Sequence, residues 1–499
     1  MTKKSEAFLT VLALLAIAWP LAFDLGRAPV QSWDEARQAV NALEMLRSGG
    51  QWLVTTFEHQ PDLWNTKPPL LIWLQALSMS LLGPTALAVR LPSLLATLGT
   101  VGLLYGAGRG VGRPALGLLA GTLLVTMAGY LGPHVARSGD YDALLCGLVL
   151  GQVLATFFYA ETNRCRYLAL AAGAVGAAVL TKGVAGLLGL PSLGIYLLLE
   201  KKLWATLRQP AFWLAAAGAL AAPALYYLLR ERALPGYWAA VWANELGGRY
   251  AHNMSAAQRP ALFHLANLLR SQCRLWWPLL PLAGLLALGP STASSRLGKL
   301  LALFLGNWLL VISLAKTKLE WYTAPMLPPL ALLLALGLGA ASAWALARLP
   351  RRLRPAQGRA LLGAALALAL VAGPYGLTIS RLVADREGDL AWGGLNRYGT
   401  YLRDYHPPRL PARFLVYYPV PYPASLTFYQ ETLAERGVAV QRIGPDSLPL
   451  ALAPGTQVLV CLPHLRARLQ QRYAVRLLDQ RTVCTLYEVQ GPAQKILNK

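Results

Sequence analysis

The sequence predicts a mainly α-helical protein that crosses a membrane many times and ends in a soluble α/β domain. The first observation is the composition: 55% of the 499 residues are hydrophobic, 14% are charged, and the mean hydropathy is +0.41. A soluble protein of this length would contain fewer apolar residues. The second is a series of apolar runs long enough to cross a bilayer, which takes about 20 helical residues. The third is the return of charged residues, prolines and short β-type runs beyond Arg381.

Eleven apolar runs are predicted to span the membrane, and the first follows Lys3 and Lys4. These lysines would also suit a signal peptide, but no small-x-small cleavage site follows, so an uncleaved span is expected. Basic residues collect in alternate connections, which by the positive-inside rule places the N-terminus in the cytoplasm and the C-terminus outside. Because several boundaries are soft, the expected total is about 11 to 13 spans. The runs lie near residues 7–23, 88–107, 114–131, 142–160, 167–181, 184–199, 211–229, 275–290, 299–315, 323–346 and 360–379.

The net charge of +23 has a topological explanation. In a soluble domain such a charge would suggest a nucleic-acid partner. In a membrane protein, cytoplasmic loops collect Lys and Arg because these residues are hard to translocate. We therefore expect membrane lipid, and no nucleic acid, as a partner.

Two elements are predicted on the outer side of the membrane. Residues 70–82 are apolar, but a full span there would invert the alternation of basic loops. An amphipathic or re-entrant juxtamembrane helix is therefore expected. Residues 381–499 are expected to form the soluble α/β domain, with β-type runs such as 414–418 and 457–461. The transmembrane domain with its outer loops occupies residues 1–380.

The five cysteines include no CxxC pair and no zinc-type spacing. Neither a metal site nor a disulfide framework follows from them. The sequence leaves open a single bridge between Cys461 and Cys484.

Seven basic residues fall on the predicted outer side, against the usual charge bias. A ring of such cations near the membrane surface can hold the phosphate or diphosphate of a lipid. The alternative is pairing with phospholipid headgroups, or snorkelling of long side chains. The residues are Lys67, Arg90, Arg137, Lys182, Arg249, Lys316 and Lys318.

Carboxylates lie near these cations in the sequence. Asp34 could cap a helix that starts there, with Glu35 as a first-turn acid, and helix capping likewise competes with a site role at Asp140 and Asp142. Glu245 is the fifth acidic residue. A partly desolvated carboxylate is basic enough to take a proton from a hydroxyl. One base and several cations suffice for an inverting transfer from a lipid phosphate.

Other reaction types lack their sequence signals. No Walker loop or GxGxxG occurs in a strand-to-helix context, and no HExxH motif is present. His59, His134, His252 and His264 fall on the outer side, but their spacing is not that of a metal site. Solvated or helix-capping histidines are expected instead.

Six motifs, in their order along the chain, resemble those of the bacterial GT-C glycosyltransferases, in the branch of the lipid A aminoarabinose transferases and protein mannosyltransferase-like enzymes. The similarity extends over residues 1 to about 345. It implies a multi-span bundle with an outer soluble domain, and a sugar taken from a polyprenyl phosphate on the outer side of the inner membrane. The motifs begin at Asp34, Lys67, Arg90, Arg137, Leu180 and Lys318.

The resemblance also implies roles for individual residues. Asp34 matches the acidic residue of the first outer loop and is the expected base, and Asp142, with Asp140 beside it, matches a second acidic position. Lys67 matches the lysine of the Lys-Pro-Pro motif, which is expected to contact the donor phosphate. The other residues expected around the phosphate are Arg249, Lys318, Tyr322, Lys182 and Arg137, and those expected near the substrate are Glu35 and Glu245.

One position departs from the family pattern. The family often has Glu before Lys-Pro-Pro, where this chain has Thr66. A role for that Glu in metal contact is therefore in doubt here. No cofactor is required by the sequence, a divalent metal is open, and metal ligands are unknown.

The sequence thus predicts an inverting glycosyltransferase of the bacterial inner membrane. It would move a sugar from an undecaprenyl phosphate-type donor to an outward-facing acceptor such as lipid A, another glycolipid, an envelope glycan or a protein. A lipid or solute transporter or flippase is the rival class, but its charges should lie at the membrane midplane. A non-catalytic envelope scaffold is the third interpretation, and it predicts no outer cavity joining Asp34 to Lys318.

Overall fold

The computed structural model describes residues 3–254, 258–287, 289, 292–348, 356–385, 395–405, 411–419, 422–444, 452–481 and 483–493. Within these ranges the chain is mainly helical, as predicted. The α-helices are Lys3–Ala22, Asp34–Arg47, Leu70–Leu82, Ala86–Gly110, Pro114–Val125, Ala128–Leu131, Tyr141–Thr162, Cys165–Lys182, Leu190–Leu199, Leu203–Leu207, Pro210–Ala233, Tyr237–Val241, Gly247–Ala251, Phe263–Asn267, Leu280–Ala287, Ala293–Leu314, Leu327–Ala347, Ala356–Ala384, Asn396–Arg403, Ala424–Ala434 and Pro463–Arg472.

Seven helices of the described chain are long and apolar enough to cross a membrane, fewer than the eleven spans predicted. The first begins near Lys4, and the last, which includes a 3-10 turn, runs from Glu320 to Trp344. Their apolar side chains pack into one large core, with Leu104, Val149 and Leu301 among its fully buried members. The protein is therefore a multi-pass membrane protein with a helical bundle.

Three predicted spans are interrupted in the structure. The run at 114–131 gives a helix that ends at Val125, because Met127 is extended before a short turn. The run at 184–199 begins as a 3-10 turn after Gly183 and gives a helix of ten residues. The run at 275–290 contains Pro278 and Pro281, and proline removes a helical hydrogen bond. Its described helix has eight residues. Hydropathy alone did not reveal these breaks.

The segment predicted as a short outer helix is a helix of 13 residues, Leu70–Leu82. It follows Pro68 and Pro69, and proline is tolerated where a helix begins because the first N–H groups have no helical partner. Gly83, with a φ of 73°, ends the helix in a conformation that glycine adopts without strain. The helix packs beside Asp34–Arg47 and Ala86–Gly110.

The C-terminal region forms a five-stranded mixed sheet. The strand order is Ala439–Ile443, Arg413–Tyr417, Gln457–Val460, Cys484–Pro492 and Tyr473–Arg481; the first three strands are parallel, and the last two run antiparallel to their neighbours. A disulfide joins Cys461 to Cys484, so the bridge that the sequence left open is present. A two-stranded ribbon, Thr56–Phe57 with Gln60–Pro61, lies outside this sheet.

The C-terminal region shares a hydrophobic core with the helix Asp34–Arg47. Ala36 and Val40 of that helix are buried in one cluster with Phe428 and Leu486 of the C-terminal region. Polar contacts reinforce this packing at its edge, where Arg47 forms ion pairs with two glutamates of the segment 424–435. The start of the Asp34 helix is therefore held from both sides, by the bundle and by the C-terminal region.

Candidate active site

A cavity of about 630 Å³ opens where several bundle helices begin or end. One part of its wall is apolar and includes Leu145, Leu188, Val311 and Ile312. The other part is charged. Its acidic residues are Asp34, Asp140, Asp142 and Glu245, and its basic residues are Arg37, Lys67, Lys182 and Arg249.

Asp34 is the first residue of its helix, and its carboxylate faces the cavity. The N-cap position belongs to Trp33, whose φ of 72° turns the chain sharply into the helix. One alternative made Asp34 the helix cap, but the structure places Trp33 at that position. The Asp34 side chain is 30% exposed, and it accepts no hydrogen bond from a described residue. This carboxylate can therefore accept a hydrogen bond from a ligand in the cavity.

His134 stands between Asp34 and Asp140. Its Nδ1 atom lies 2.5 Å from Oδ2 of Asp140 and 3.8 Å from Oδ2 of Asp34. The ring stacks on Trp321 at 3.9 Å between centroids, and Gln38 donates a hydrogen bond to the other oxygen of Asp140. The expectation of a solvated or capping histidine was wrong for His134, because the loop that contains it folds back onto the cavity wall.

The two partners hold each other in their charged forms. Burial alone would lower the pKa of His134, but Asp140 and Asp34 raise it above the ordinary histidine value. Burial alone would raise the pKa of Asp140, but His134 and Lys182 hold it well below the ordinary aspartate value. Asp140 also accepts a hydrogen bond from the Tyr141 N–H and is the N-cap of its helix, which was one of the two alternatives for this residue.

This pair predicts a pH dependence of stability. A raised histidine pKa stabilises the fold below the unfolded value of about 6.5, and the contribution is lost as the pH rises through the folded pKa. In buffer with a chelator, the thermal midpoint of the purified protein is therefore expected to fall between about pH 6 and about pH 9. His134→Gln should not show this loss. His59→Gln is the matched control because the His59 side chain is 68% exposed, and it should follow the wild-type profile. Identical profiles for wild type and His134→Gln would contradict the prediction.

Asp142 and Lys182 form a buried ion pair at the inner end of the charged wall. The Lys182 Nζ atom lies 2.6 and 2.7 Å from the two carboxylate oxygens. Lys182 is the last residue of its helix, and Gly183 follows with a φ of 57°. A Cβ atom at Gly183 would also lie 3.1 Å from the Tyr227 hydroxyl. The turn therefore fixes Lys182 at the cavity.

Lys67 and Glu245 face each other across the cavity mouth. The Lys67 Nζ atom lies 3.4 Å from Oε1 of Glu245, and the Thr66 hydroxyl donates to the same oxygen at 3.0 Å. Burial would raise the pKa of Glu245, but Lys67 and Arg249 hold it below the ordinary glutamate value. Thr66, at the position where the resemblance predicted a Glu, thus supports Glu245 instead of supplying a carboxylate.

Arg249 and Tyr322 complete the basic side. The guanidinium Nη1 donates to the tyrosine hydroxyl at 2.9 Å. The buried Nε atom of Arg249 has no hydrogen-bond partner among the described residues. Arg249 lines the cavity, so its guanidinium group lies where a ligand would bind. The structure thus brings eight of the predicted site residues to one cavity: Asp34, Asp140, Asp142, Lys67, Lys182, Glu245, Arg249 and Tyr322.

Glu35 does not belong to this wall, which corrects its expected place beside the substrate. Its carboxylate forms a bidentate pair with Arg90, at 2.8 and 2.9 Å, and both side chains are 2% exposed. It also accepts the backbone N–H groups of Gln31 and Gly139. Since successive residues point about 100° apart around a helix, Asp34 and Glu35 face different surroundings.

Two predicted phosphate contacts are also corrected. Arg137 donates to backbone carbonyls of Pro20, Leu21 and Phe23 and lines a different cavity. Lys318 is 7% exposed, its Nζ atom donates to the Ala315 carbonyl, and it does not line the first cavity. Charge and loop position suggested both residues, but the direction of a side chain depends on packing.

Arg37 is a wall residue that the sequence did not identify. Its guanidinium forms a bidentate pair with Asp62, at 2.8 and 2.7 Å. It also lies over Phe57 and Trp64, at 4.4 and 4.5 Å from the ring centroids, and donates to Tyr422 of the C-terminal region. Residues 57–64 contain aromatic and acidic side chains that contact Arg37. The sequence alone does not show that this loop folds back onto Arg37, so the contacts were not predicted.

Asp34, His134 and Asp140 are the described residues whose ligand atoms cluster as a metal site would require. These atoms lie within 4.8 Å of one another. Two carboxylates and one imidazole suit a divalent ion. The fit is incomplete, because a metal-bound nitrogen carries no proton and the His134–Asp140 hydrogen bond would have to open.

Comparisons with known proteins identify similar sequences and a similar fold. The profile of the dolichyl-phosphate-mannose-protein mannosyltransferase family matches residues 66–227. An undecaprenyl phosphate-alpha-4-amino-4-deoxy-L-arabinose arabinosyl transferase of Shewanella sediminis is 30% identical over 353 residues, which cover 67% of this chain and 60% of the relative. The transferase of the same name from Pseudomonas savastanoi is 30% identical over 347 residues, with coverage of 66% and 61%.

The crystal structure of ArnT from Cupriavidus metallidurans bound to undecaprenyl phosphate superposes with a TM-score of 0.68. The match covers 98% of both chains at 17% sequence identity and therefore shows a common fold. The matched part of the chain spans about three fifths of the length of the two arabinosyl transferases. The chain thus has the fold of the aminoarabinose transferase structure, and its sequence is similar to those of aminoarabinose transferases and protein mannosyltransferases.

Proposed function

We propose that this protein is an inverting glycosyltransferase that takes a sugar from a polyprenyl phosphate donor of the undecaprenyl phosphate type. The observation that carries the proposal is one cavity in which the partly exposed carboxylate of Asp34 lies with Lys67, Lys182 and Arg249, next to an apolar wall. The names of the two arabinosyl transferase relatives support this class of donor. The acceptor is lipid A, another glycolipid, an envelope glycan or a protein.

The proposed reaction is a single displacement. Asp34 takes the proton from the acceptor hydroxyl while the oxygen of that hydroxyl bonds to the anomeric carbon of the sugar. The bond from that carbon to the phosphate oxygen breaks, and the electron pair leaves with the polyprenyl phosphate. Lys67 and Arg249 stabilise the developing phosphate charge, and they are most effective where water is excluded. Lys182 adds charge but is already paired with Asp142.

The lipid part of the donor fits the apolar wall. Leu188 follows the turn after Lys182, and Val311 and Ile312 lie near the end of the helix Ala293–Leu314. A phosphate at the cations would therefore have apolar side chains beside it. A polyprenyl phosphate has the same division between an anionic headgroup and a hydrocarbon chain.

Lys67→Ala is expected to weaken binding of undecaprenyl phosphate about ten- to a hundredfold, because one charge-assisted contact contributes ~1.5–3 kcal/mol. Binding can be measured by native mass spectrometry or by fluorescence titration of the purified protein. Lys201→Ala is the matched control, since Lys201 is exposed and lies outside the cavity. Unchanged donor affinity in Lys67→Ala would remove Lys67 from the phosphate site.

The same cavity argues against the rival classes. A flippase should have polar groups along a path through the bilayer, whereas the charged groups Asp34, Lys67, Asp142 and Lys182 gather where the helices begin or end. The scaffold interpretation predicted no outer cavity joining Asp34 to Lys318, and Lys318 does not line the cavity that contains Asp34. The enzyme is supported instead by the convergence of Asp34 with Tyr322, four residues after Lys318, in one charged cavity.

A divalent metal is proposed to bind through Asp34, His134 and Asp140. His134 must lose its proton first, so affinity should increase with pH. Calorimetric titration with Mn²⁺ is expected to show tighter binding at about pH 8 than at about pH 6, on either side of an ordinary histidine pKa. His134→Gln should lose this binding. Equal Mn²⁺ affinity in the variant would exclude this ligand set.

We propose that the cavity and the C-terminal region, residues 381–499, lie on the periplasmic side, with the N-terminus in the cytoplasm. The alternation of basic connections supports this orientation. The Cys461–Cys484 disulfide supports it independently, because such bridges persist in oxidising compartments.

A further inference from the structure

A second cavity, of about 650 Å³, lies at the same end of the bundle as the first. It is lined by the segment after the helix Lys3–Ala22, by residues 125–138, by residues 270–275 and by the end of the helix Ala356–Ala384. The chain that ends at Ser138 on this wall continues to Asp140 on the wall of the first cavity. The two cavities are therefore neighbours with separate linings.

The second cavity has an excess of positive charge. Arg90, which also lines this cavity, forms an ion pair with Glu35. The guanidinium groups of Arg270, Arg274 and Arg381 have no hydrogen bond or ion pair with another described residue. The remaining charged residues of the lining are Arg137, Asp24 and Asp385.

Arg137 shows the effect of this excess. Its guanidinium is held by the carbonyls of Pro20 and Phe23, which carry no full negative charge. Burial and the nearby charge of Arg90 lower the pKa of Arg137 to about 10, and Asp24 offsets this only in part. An anion in the cavity would offset the repulsion between Arg137 and Arg90. Arg137 thus adds to the positive charge of this lining.

Apolar side chains lie beside the arginines. Leu275 is 43% exposed and Leu377 is 51% exposed, and both line the cavity with Leu131 and Leu382. A small soluble anion would make no use of this surface. A lipid with an anionic headgroup would place its phosphate at the arginines, whose planar groups suit phosphate oxygens, and its chain along the leucines.

We propose that the second cavity binds the phosphate headgroup of an anionic lipid other than the polyprenyl phosphate donor. Two sources have this chemistry: a resident anionic phospholipid, and a phosphorylated lipid that serves as acceptor. The phospholipid source is independent of the proposed transfer activity, and the acceptor source rests on it.

The test uses the purified full-length protein and the double variant Arg270→Ala/Arg274→Ala. Both arginines are exposed, so folding should be retained. Binding of phosphatidylglycerol and of phosphatidylcholine is measured by native mass spectrometry. The wild type is expected to prefer phosphatidylglycerol, and the double variant to lose at least about tenfold in affinity. Undecaprenyl phosphate binding should stay unchanged and serves as the check on folding.

Arg232→Ala is the matched control. Arg232 is exposed near the end of the helix Pro210–Ala233, at the same end of the bundle, and lines neither cavity. It should bind both phospholipids as the wild type does. A loss of phosphatidylglycerol affinity of the same size in this control would show a general surface effect and overturn the proposal.

Transfer kinetics distinguish the two sources. If the phosphorylated acceptor occupies the cavity, the double variant raises the acceptor KM at least about tenfold and leaves the donor KM unchanged. If a resident phospholipid occupies it, phosphatidylglycerol affinity falls and the acceptor KM is unchanged. The proposal is overturned when neither quantity changes. A wild type that binds phosphatidylglycerol at this site but transfers no sugar would contradict the proposed function and leave the lipid site supported.

Discussion

Asp34→Asn is expected to lower sugar transfer by about 10²–10⁴-fold, the usual contribution of a positioned general base. The amide has the size and shape of the carboxylate but cannot take the acceptor proton. The fold should be unaffected, because Asp34 is not the helix cap and its carboxylate accepts no hydrogen bond from a described residue. Transfer is measured with purified protein and a polyprenyl phosphate-linked sugar, with the thermal midpoint as the folding check.

A neighbouring acid provides the control for Asp34→Asn. Glu320 lies two residues before Tyr322, but its side chain is 62% exposed and does not line the cavity. Glu320→Gln should retain wild-type transfer. Donor binding should survive in Asp34→Asn, since Lys67 and Arg249 remain. Full transfer activity in Asp34→Asn would show that Asp34 is not the base.

Sequence reasoning selected residues that line one cavity because these residues lie in short motifs at the ends of apolar runs. Asp34, Lys67, Asp142 and Lys182 come from four such positions, and helix ends at one side of a bundle must meet. The charge of a residue does not reveal the direction of its side chain. Lys318 turns to a backbone carbonyl of its own loop, so it lies behind the wall that its neighbour Tyr322 reaches.

His134 illustrates a different difficulty. Its place between Asp34 and Asp140 depends on a φ of 70°, which is unusual for a residue other than glycine, and on stacking against Trp321, far away in sequence. No local pattern encodes that contact. Gly139 shows a similar dependence, because a Cβ atom there would lie 2.5 Å from the Val89 side chain.

Hydropathy predicted where the apolar helices lie, but it did not predict where the backbone interrupts them. Long runs such as 142–160 became single helices, here Tyr141–Thr162. The runs at 114–131 and 184–199 became helices of 12 and 10 residues with turns beside them. An average over a window reports how apolar a segment is, but an individual backbone angle decides whether the helix continues.

Glu35→Ala is expected to destabilise the protein by about 3–5 kcal/mol, the usual result of removing one partner of a buried ion pair. Arg90 would keep its charge in the core with only the carbonyls of Leu25, Ala28 and Pro29 as acceptors. The N–H group of Gly139 would also lose its acceptor. We expect a low yield of folded protein and a large drop in thermal midpoint, measured in detergent.

The control for Glu35→Ala removes a surface ion pair that Arg47, on the same helix, forms with the C-terminal region. Arg47 contacts Glu431 and Glu435 with its side chain 27% exposed, and Arg47→Ala should cost no more than about 1 kcal/mol. Adjacent acids would then have opposite functions: Asp34→Asn removes transfer and keeps the fold, and Glu35→Ala removes the fold. A stable Glu35→Ala protein that lacks transfer would return Glu35 to the substrate site.

Glu35 also accepts the N–H of Gly139 and so holds the loop that contains this glycine. A partly folded variant should therefore lose the His134–Asp140 contact, and with it the pH dependence of stability.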